Sequence, residues 1–277
     1  MKLIKDYSDS DYKEYRARIL KNILQMAFYG GSSSAHIGGA LSMVDIGSVL
    51  FKYFLKLSKD NIDEIDRDYF ILSKGHACLA YYSLLAEKGF INNNDFKTFE
   101  QDESLLLGHP VKNKKIGIDF STGSLGIGIG IAVGVAIGLK KKNSNNNVYV
   151  IMGDGECNEG SVWEALMSAS HFKLNNLKVI IDNNNFQQTG TNNDIMNTSS
   201  LKEKLKAFNF ETFEIDGHNP LELIEKLNVV SNKKPVAIVA KTIKGKYLSF
   251  AENDNKFHHI VLTKSLYDEG LKCIDGL

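Results

Sequence analysis

The sequence predicts an α/β fold in which a parallel sheet is sandwiched between helices, and three observations carry that expectation. Short apolar runs alternate with amphipathic stretches along most of the chain, the pattern of strands feeding helices that pack back over a parallel sheet. The segment 148–182 reads as a complete strand–helix–strand unit. The 277 residues are 43% hydrophobic with no compositional break that marks a linker, so one large core is expected over 1–277.

Taken in order, the N-terminal third carries helical periodicity at 11–29 and 43–57, the second ending near the charged loop 59–68. Strands are expected at 69–72, 148–152, 179–182, 212–215 and 236–240. Between the second and third of these, 161–174 places Val162, Ala165, Leu166 and Ala169 at helical spacing, so its flanking strands run parallel. The uncharged run 125–139 is shorter than the ~20 residues that a bilayer requires and reads as a buried helix. Its glycines Gly126, Gly130, Gly134 and Gly138 recur every fourth residue, which lines one helical face with sites that lack side chains. That face suits either a close approach to a cofactor or second subunit, or ordinary packing inside the core. The Asn-rich 140–147 reads as a solvated loop, and 262–273 as a short terminal helix.

Composition narrows function. Lys+Arg and Asp+Glu both number 33, a formal charge of zero that argues against nucleic acid or another polyanion as the main partner. Cys78, Cys157 and Cys273 lie far apart with no C-x-x-C pair, which suggests neither zinc nor a disulfide framework and fits a reducing cytoplasm. The first twenty residues mix charges throughout and lack the apolar block of a secretory signal.

The chemistry concentrates at two strand ends. Gly153-Asp154-Gly155 follows one strand and Asp182-Asn183-Asn184 the next, and the 30 residues from Asp154 to Asn184 suit one strand, one helix and two turns. Both groups then emerge at the carboxyl edge of the sheet, where open α/β sheets bind ligands. A carboxylate from Asp154, an amide oxygen from Asn184 and a nearby carbonyl are hard donors suited to Mg²⁺ or Ca²⁺. Gly153 and Gly155 allow a sharp turn, and the following helix N-terminus offers N–H groups to an anion.

Five segments, in order, resemble the N-terminal cofactor domain of transketolases, in particular the two-chain form of some prokaryotes. They are Ala35-His36-Ile37-Gly38-Gly39, Ser73-Lys74-Gly75-His76, Gly108-His109-Pro110, Thr122-Gly123-Ser124-Leu125-Gly126-Ile127-Gly128, and Gly153-Asp154-Gly155 through Asn184 and Phe186; the likeness runs from about Ser32 to His258. The resemblance implies a thiamine diphosphate-binding fold of the diphosphate-binding type. It also implies roles: Asp154, Asn184 and the Phe186 carbonyl as metal ligands, with Gly153 and Gly155 at the diphosphate. His76 resembles a diphosphate contact, and His36 and His109 resemble the histidines facing the reactive thiazolium carbon and the sugar hydroxyls. Gly123 and Leu125 look like the residues that meet the aminopyrimidine. Glu159 and Glu164 match acidic positions at the family's dimer contact, Glu159 in a network that joins two cofactor sites.

Imidazoles suit such a site because making and breaking a ketose adduct moves protons on hydroxyl oxygens near neutral pH. His171, late on its helix, is instead expected to serve the helix's carboxyl end. Two departures from one-chain transketolases, Ile37-Gly38-Gly39 after His36 and Ser124 in place of proline, resemble the two-chain form. Near the C-terminus, Lys256-Phe257-His258-His259 stands where the family shows aromatic, histidine, glycine, so His258 is carried as a diphosphate or substrate contact without that glycine.

The family also needs a carboxylate against the pyrimidine nitrogen, supplied by a second domain of about equal size. Only 19 residues follow His258, so that domain is expected on another polypeptide, a C-terminal pyrimidine-domain subunit, two copies of each chain assembling. The implied function is transfer of a two-carbon ketol group from a ketose phosphate to an aldose acceptor through thiamine diphosphate. One alternative keeps the cofactor but changes the reaction, as in 1-deoxyxylulose-phosphate synthase or an α-keto acid decarboxylating component. Another is a non-catalytic nucleotide-binding module, against which the missing G-x-G-x-x-G after the first strand speaks.

Overall fold

A computed structural model describes residues 7–277. Helix α1 (Asp9–Tyr29) buries Tyr12, Tyr15, Ile19, Ile23 and Met26, a three-to-four spacing that makes one apolar stripe, and Ser8 caps its start. Short α2 (Gly38–Ser42) and α3 (Val44–Val49) follow, and α3 continues as a π turn over Leu50–Phe54. The expected helix over 43–57 thus stands over 44–54, with a π-type last turn and an end three residues early. The chain bends at Met43, and an i→i+5 bond from Leu55 N–H to Leu50 O, 2.9 Å, ends the run. Strand β1 (Tyr69–Leu72) leads to α4 (Cys78–Glu87), then a long irregular stretch to α5 (Ile127–Lys141). The unit β2 (Val148–Gly153), α6 (Gly160–His171), β3 (Leu177–Asn183) follows as expected. Next come α7 (Asn192–Ile195), α8 (Leu201–Ala207), β4 (Glu211–Asp216), α9 (Pro220–Leu227), β5 (Val236–Lys241) and α10 (Lys264–Asp275).

The five strands form one parallel sheet in the order β1-β2-β3-β5-β4. Alternate strand residues feed two cores. Phe70, Leu72, Tyr149, Ile151, Ile180 and Ile238 pack with α1, α3, α4 and α9 on one face. Ile71, Val150, Met152, Val179, Ile181 and Val239 pack with α5, α6 and α8 on the other. Register aligns Gly153 with Asp182 and Asn183 with Lys241, so three strands end together at one edge.

The glycine stripe is not packed in the core. Added methyl groups at Gly130, Gly134 and Gly138 would meet nothing within 4 Å, and all three are exposed, whereas the core is met by Ile129, Ala132, Val133 and Ala136 on the opposite face of α5. Gly126 differs: it precedes α5 with φ +81° and lies against Ser161 and Glu159. Among the described residues no helix is long and apolar enough to cross a membrane.

Candidate active site

The aligned strand ends open into a cleft of ≈ 370 Å³. All the expected site residues border it: His36, His76, His109, Gly123, Leu125, Gly153, Asp154, Gly155, Glu159, Asn184, Phe186 and His258.

Asp154 leaves β2 only 1% exposed. Its Oδ1 accepts Gly155 N–H at 2.8 Å, and its Oδ2 accepts Asn185 N–H at 2.6 Å and Asn192 Nδ2 at 2.9 Å. Burial and the neighbouring Asp182 charge push its pKa up to about 6, so a cation at this carboxylate would relieve both penalties. After β3, Asn185 takes a left-handed φ of 64°, and Asn184 Oδ1 accepts Phe186 N–H at 3.0 Å. The isolated bridge between Phe186 and Thr191 pairs through Gln187 N–H to Gly190 O and Asn192 N–H to Asn185 O, which leaves the Phe186 carbonyl outside the pairing. One carboxylate, one amide and one carbonyl are therefore available as oxygen donors, a set that suits Mg²⁺ or Ca²⁺. No group of three His, Cys, Asp or Glu able to hold a metal occurs among the described residues. Helix α6 begins at Gly160, one residue before the expected start, and between it and Asp154 runs a 3₁₀ turn, Gly155–Asn158. Its first N–H is already engaged by Asp154.

Beneath this edge, Lys74 and Asp182 form an ion pair, each no more than 1% exposed, and Asp182 also accepts from Ser42 Oγ at 2.6 Å and from the Thr242 hydroxyl. Glu156, buried within the turn, accepts Ser73 Oγ at 2.5 Å, Gly126 N–H at 2.8 Å and Gly153 N–H at 3.1 Å. It ties three cleft segments together, and burial raises its pKa.

The other end of the cleft is imidazole-rich. His36 lies 5.7 Å from His76, 5.6 Å from His109, 5.4 Å from His258 and 4.1 Å from His259, ring centre to ring centre. Burial lowers the pKa of His36 to about 4 and of His258 to about 3, with neighbouring histidines and lysines adding to the shift, and lowers His76 well below its usual value. These rings are neutral at pH 7, each with one N–H and one lone pair. Backbone approach is close: a methyl group on Gly75 would sit 2.8 Å from Gly123 N, and one on Gly39 3.0 Å from His76 Nε2. His258 Nδ1 and Gln187 Nε2 are buried along the cleft without hydrogen-bond partners, as groups intended for an anionic or hydroxyl-rich ligand would be.

Glu164 is exposed in a shallow groove with Gly126 and Gly130, outside the cleft. His171 ends α6 and packs edge-on against Phe172, 5.0 Å away. Sequence reasoning missed Glu156 and Gln187. It also passed over Lys244, which is 2% exposed, reaches Gln187 O at 2.8 Å and Asn255 Oδ1 at 2.5 Å, and has its pKa lowered to about 8 by burial and Lys74. Glu156 continues the Gly153-Asp154-Gly155 motif and could have been suspected from it; no local signal marks Lys244.

Residues 17–269 match the family described as transketolase, thiamine diphosphate binding domain. The chain is 39% identical over 254 residues to a subunit of the apulose-4-phosphate transketolase of Actinobacillus succinogenes, covering 91% of each. It is 33% identical to a 6-deoxy-6-sulfo-D-fructose transketolase subunit of Clostridium sp., covering 92% of this chain and 93% of that one. The solved transketolase of Campylobacter jejuni superposes with a TM-score of 0.87 at 30% identity, over 96% of this chain but 43% of that one. The Leishmania mexicana transketolase gives 0.85 at 28%, over 94% and 40%. With the match spanning most of its length, the chain belongs to the transketolase thiamine diphosphate-binding domain family.

Proposed function

We propose that this chain, as one diphosphate-binding domain, is the N-terminal subunit of a two-chain transketolase, which moves a two-carbon ketol unit from a ketose phosphate to an aldose acceptor. The observation that carries the reading is the polarity of one cleft: a cation-binding set of oxygens at one end and neutral imidazoles at the other. Asp154, Asn184 and the Phe186 carbonyl would hold Mg²⁺ or Ca²⁺, and His76, Gly153 and Gly155 would receive the diphosphate. Gly123 and Leu125 would meet the aminopyrimidine. Thiamine diphosphate, when bound, supplies the electron sink for breaking and making the carbon–carbon bond. His36, His109 and His258 would exchange protons with substrate hydroxyls, a task that imidazole can perform in either direction.

The relatives whose names mark them as one subunit of a transketolase support a separate pyrimidine-domain partner, with two copies of each chain meeting near Glu159, Glu164 and the bare glycine face of α5. A cytoplasmic setting accords with three free cysteines, and sugar phosphates of the pentose type would be the substrates on the transketolase reading. The test titrates thiamine diphosphate with Mg²⁺ into the assembled pair: Asp154→Ala should abolish metal-dependent binding, and unchanged binding refutes the ligand assignment. Supplying the pair with xylulose 5-phosphate or pyruvate separates ketol transfer from a decarboxylating reaction. Full activity of this chain alone would contradict the two-chain reading.

A further inference from the structure

Asp45 on α3 is fully buried, and no step of the proposed reaction uses it. It accepts Tyr12 O–H at 2.7 Å and Tyr247 O–H at 2.5 Å, faces His218 Nδ1 at 2.8 Å, and has Arg16 Nη1 3.6 Å away. His218 lies in the turn between β4 and α9, 173 residues from Asp45. The tautomer of His218 follows from its other nitrogen. Ile243 N–H donates to Nε2 at 2.9 Å, so Nε2 carries the lone pair and Nδ1 carries the proton that Asp45 receives. Asp45 thus orients the ring, and the ring fixes the backbone where β5 runs into the next loop.

That loop leads straight into the cleft. Lys244 follows Ile243, and its ammonium joins the Gln187 carbonyl, in the segment that would hold the metal, to Asn255, three residues before His258. Asn255 in turn donates to Gln188 O at 3.2 Å. Gly245 N–H holds Gly38 O at 3.1 Å. Tyr247 is kept at φ +77°, a conformation that a bulky residue rarely adopts, with its hydroxyl on Asp45 and its ring under Arg16, 4.6 Å away. The loop is therefore anchored on both sides of Lys244 by the same buried carboxylate, through His218 before it and through Tyr247 after it.

We propose that His218, oriented by Asp45, is a positioning residue that seats Lys244 between the cation-binding loop and the His258 segment and so sets the spacing of the two ends of the cleft. Its action runs through one hydrogen bond, from Ile243 N–H to Nε2, which allows a discriminating pair of substitutions. In His218→Gln the amide reaches the Nε2 position and can still accept Ile243 N–H. In His218→Asn the amide reaches only the Nδ1 position, keeping Asp45 and losing Ile243. Crystal structures of both full-length variants are the first measurement. Lys244 Nζ should stay on the Gln187 carbonyl in the Gln variant and move beyond about 3.5 Å in the Asn variant. Unmoved Lys244 in both variants overturns the proposal. The second measurement, which rests on the proposed function, is Mg²⁺-dependent thiamine diphosphate affinity of the assembled pair. A loss of about tenfold is expected in His218→Asn and less than about threefold in His218→Gln. Equal losses in the two overturn it as well. If the wild-type pair binds no thiamine diphosphate while the structural difference holds, the proposed function fails and the positioning role stands.

Discussion

His36 and His259 stack with ring centres 4.1 Å apart and planes inclined by 31°. The stack occupies the place where the family pattern has a glycine after His258, so this chain carries an additional imidazole against His36. Burial depresses the His36 pKa to about 4, and His259 is the next contributor. Replacing His259 with Gly removes a like charge and opens the ring to water, and both changes act in the same direction. His36 is therefore expected to titrate closer to its ordinary 6.5 in His259→Gly, read from imidazole resonances across a pH series. An unmoved His36 titration means that the stack does not govern it.

The same shifts set an acid limit on stability. His36, His76 and His258 have folded-state pKa values below their unfolded ones, so between pH 6.5 and about 4 the unfolded chain binds more protons. Their contribution is fully present above pH 6.5 and is lost as the pH falls through that window. Each ring contributes a slope of up to about 1.4 kcal/mol per pH unit, discounted because solvent reaches part of all three. Urea midpoints measured from pH 7 to pH 4.5 should fall, and His76→Asn should flatten the fall more than His36→Asn. A wild-type curve that is level over that range contradicts the burial argument.

Much of this was legible beforehand, and the reasons are local. All five strands stand where apolar runs placed them, with ends extended by up to two residues at Leu177, because β-branched residues and turn signals report strands directly. Asp154 and Asn184 were legible from the spacing of two strand ends, whereas the histidines, Gly123 and Leu125 were named through the resemblance to transketolases, since no local pattern marks a single histidine as a ligand contact. The π turn that ends the helix expected over 43–57 early was not legible, since apolar residues continue past it at Leu55 and Leu57. Pairing across 173 residues, as between Asp45 and His218, leaves no mark on either neighbourhood. Lys244 reads in sequence as an ordinary exposed lysine, and only the fold buries it.

Glu156 is the place where one buried carboxylate satisfies three segments. Truncation in Glu156→Ala would leave the Ser73 hydroxyl and the Gly126 and Gly153 N–H groups without that acceptor. A loss of about 2–4 kcal/mol in unfolding free energy is expected, since each orphaned buried polar group costs about 1–3 kcal/mol and water can enter part of the void. Glu156→Gln, which retains one oxygen acceptor, should lose less. Equal stability of Glu156→Ala and wild type in denaturant titration would show that these segments are held by other contacts.

Gly75→Ala tests a different constraint, the approach of two backbones. The new methyl group would lie 2.8 Å from Gly123 N and 2.9 Å from Gly123 Cα, main-chain atoms that cannot rotate away. Displacement of Gly123 would also shift the segment proposed to meet the aminopyrimidine, so cofactor affinity is expected to fall about tenfold or more in the assembled pair. Binding at wild-type strength would show that the 123 segment yields without consequence.

The bare glycines of α5 should behave in the opposite way until another molecule covers them. Methyl groups at Gly130 and Gly134 meet nothing within 4 Å, and glycine inside a helix costs about 0.5–1 kcal/mol relative to alanine, so each Gly→Ala should stabilise the separate chain by about that amount in urea titration. Larger bulk discriminates further. Gly134→Leu adds a side chain that the monomer tolerates but that holds two helices apart, so sedimentation should show weaker association of the assembled enzyme with the fold intact. Association unchanged by Gly134→Leu would remove this face from the proposed contact, and destabilisation by Gly130→Ala would mean that the chain itself packs there.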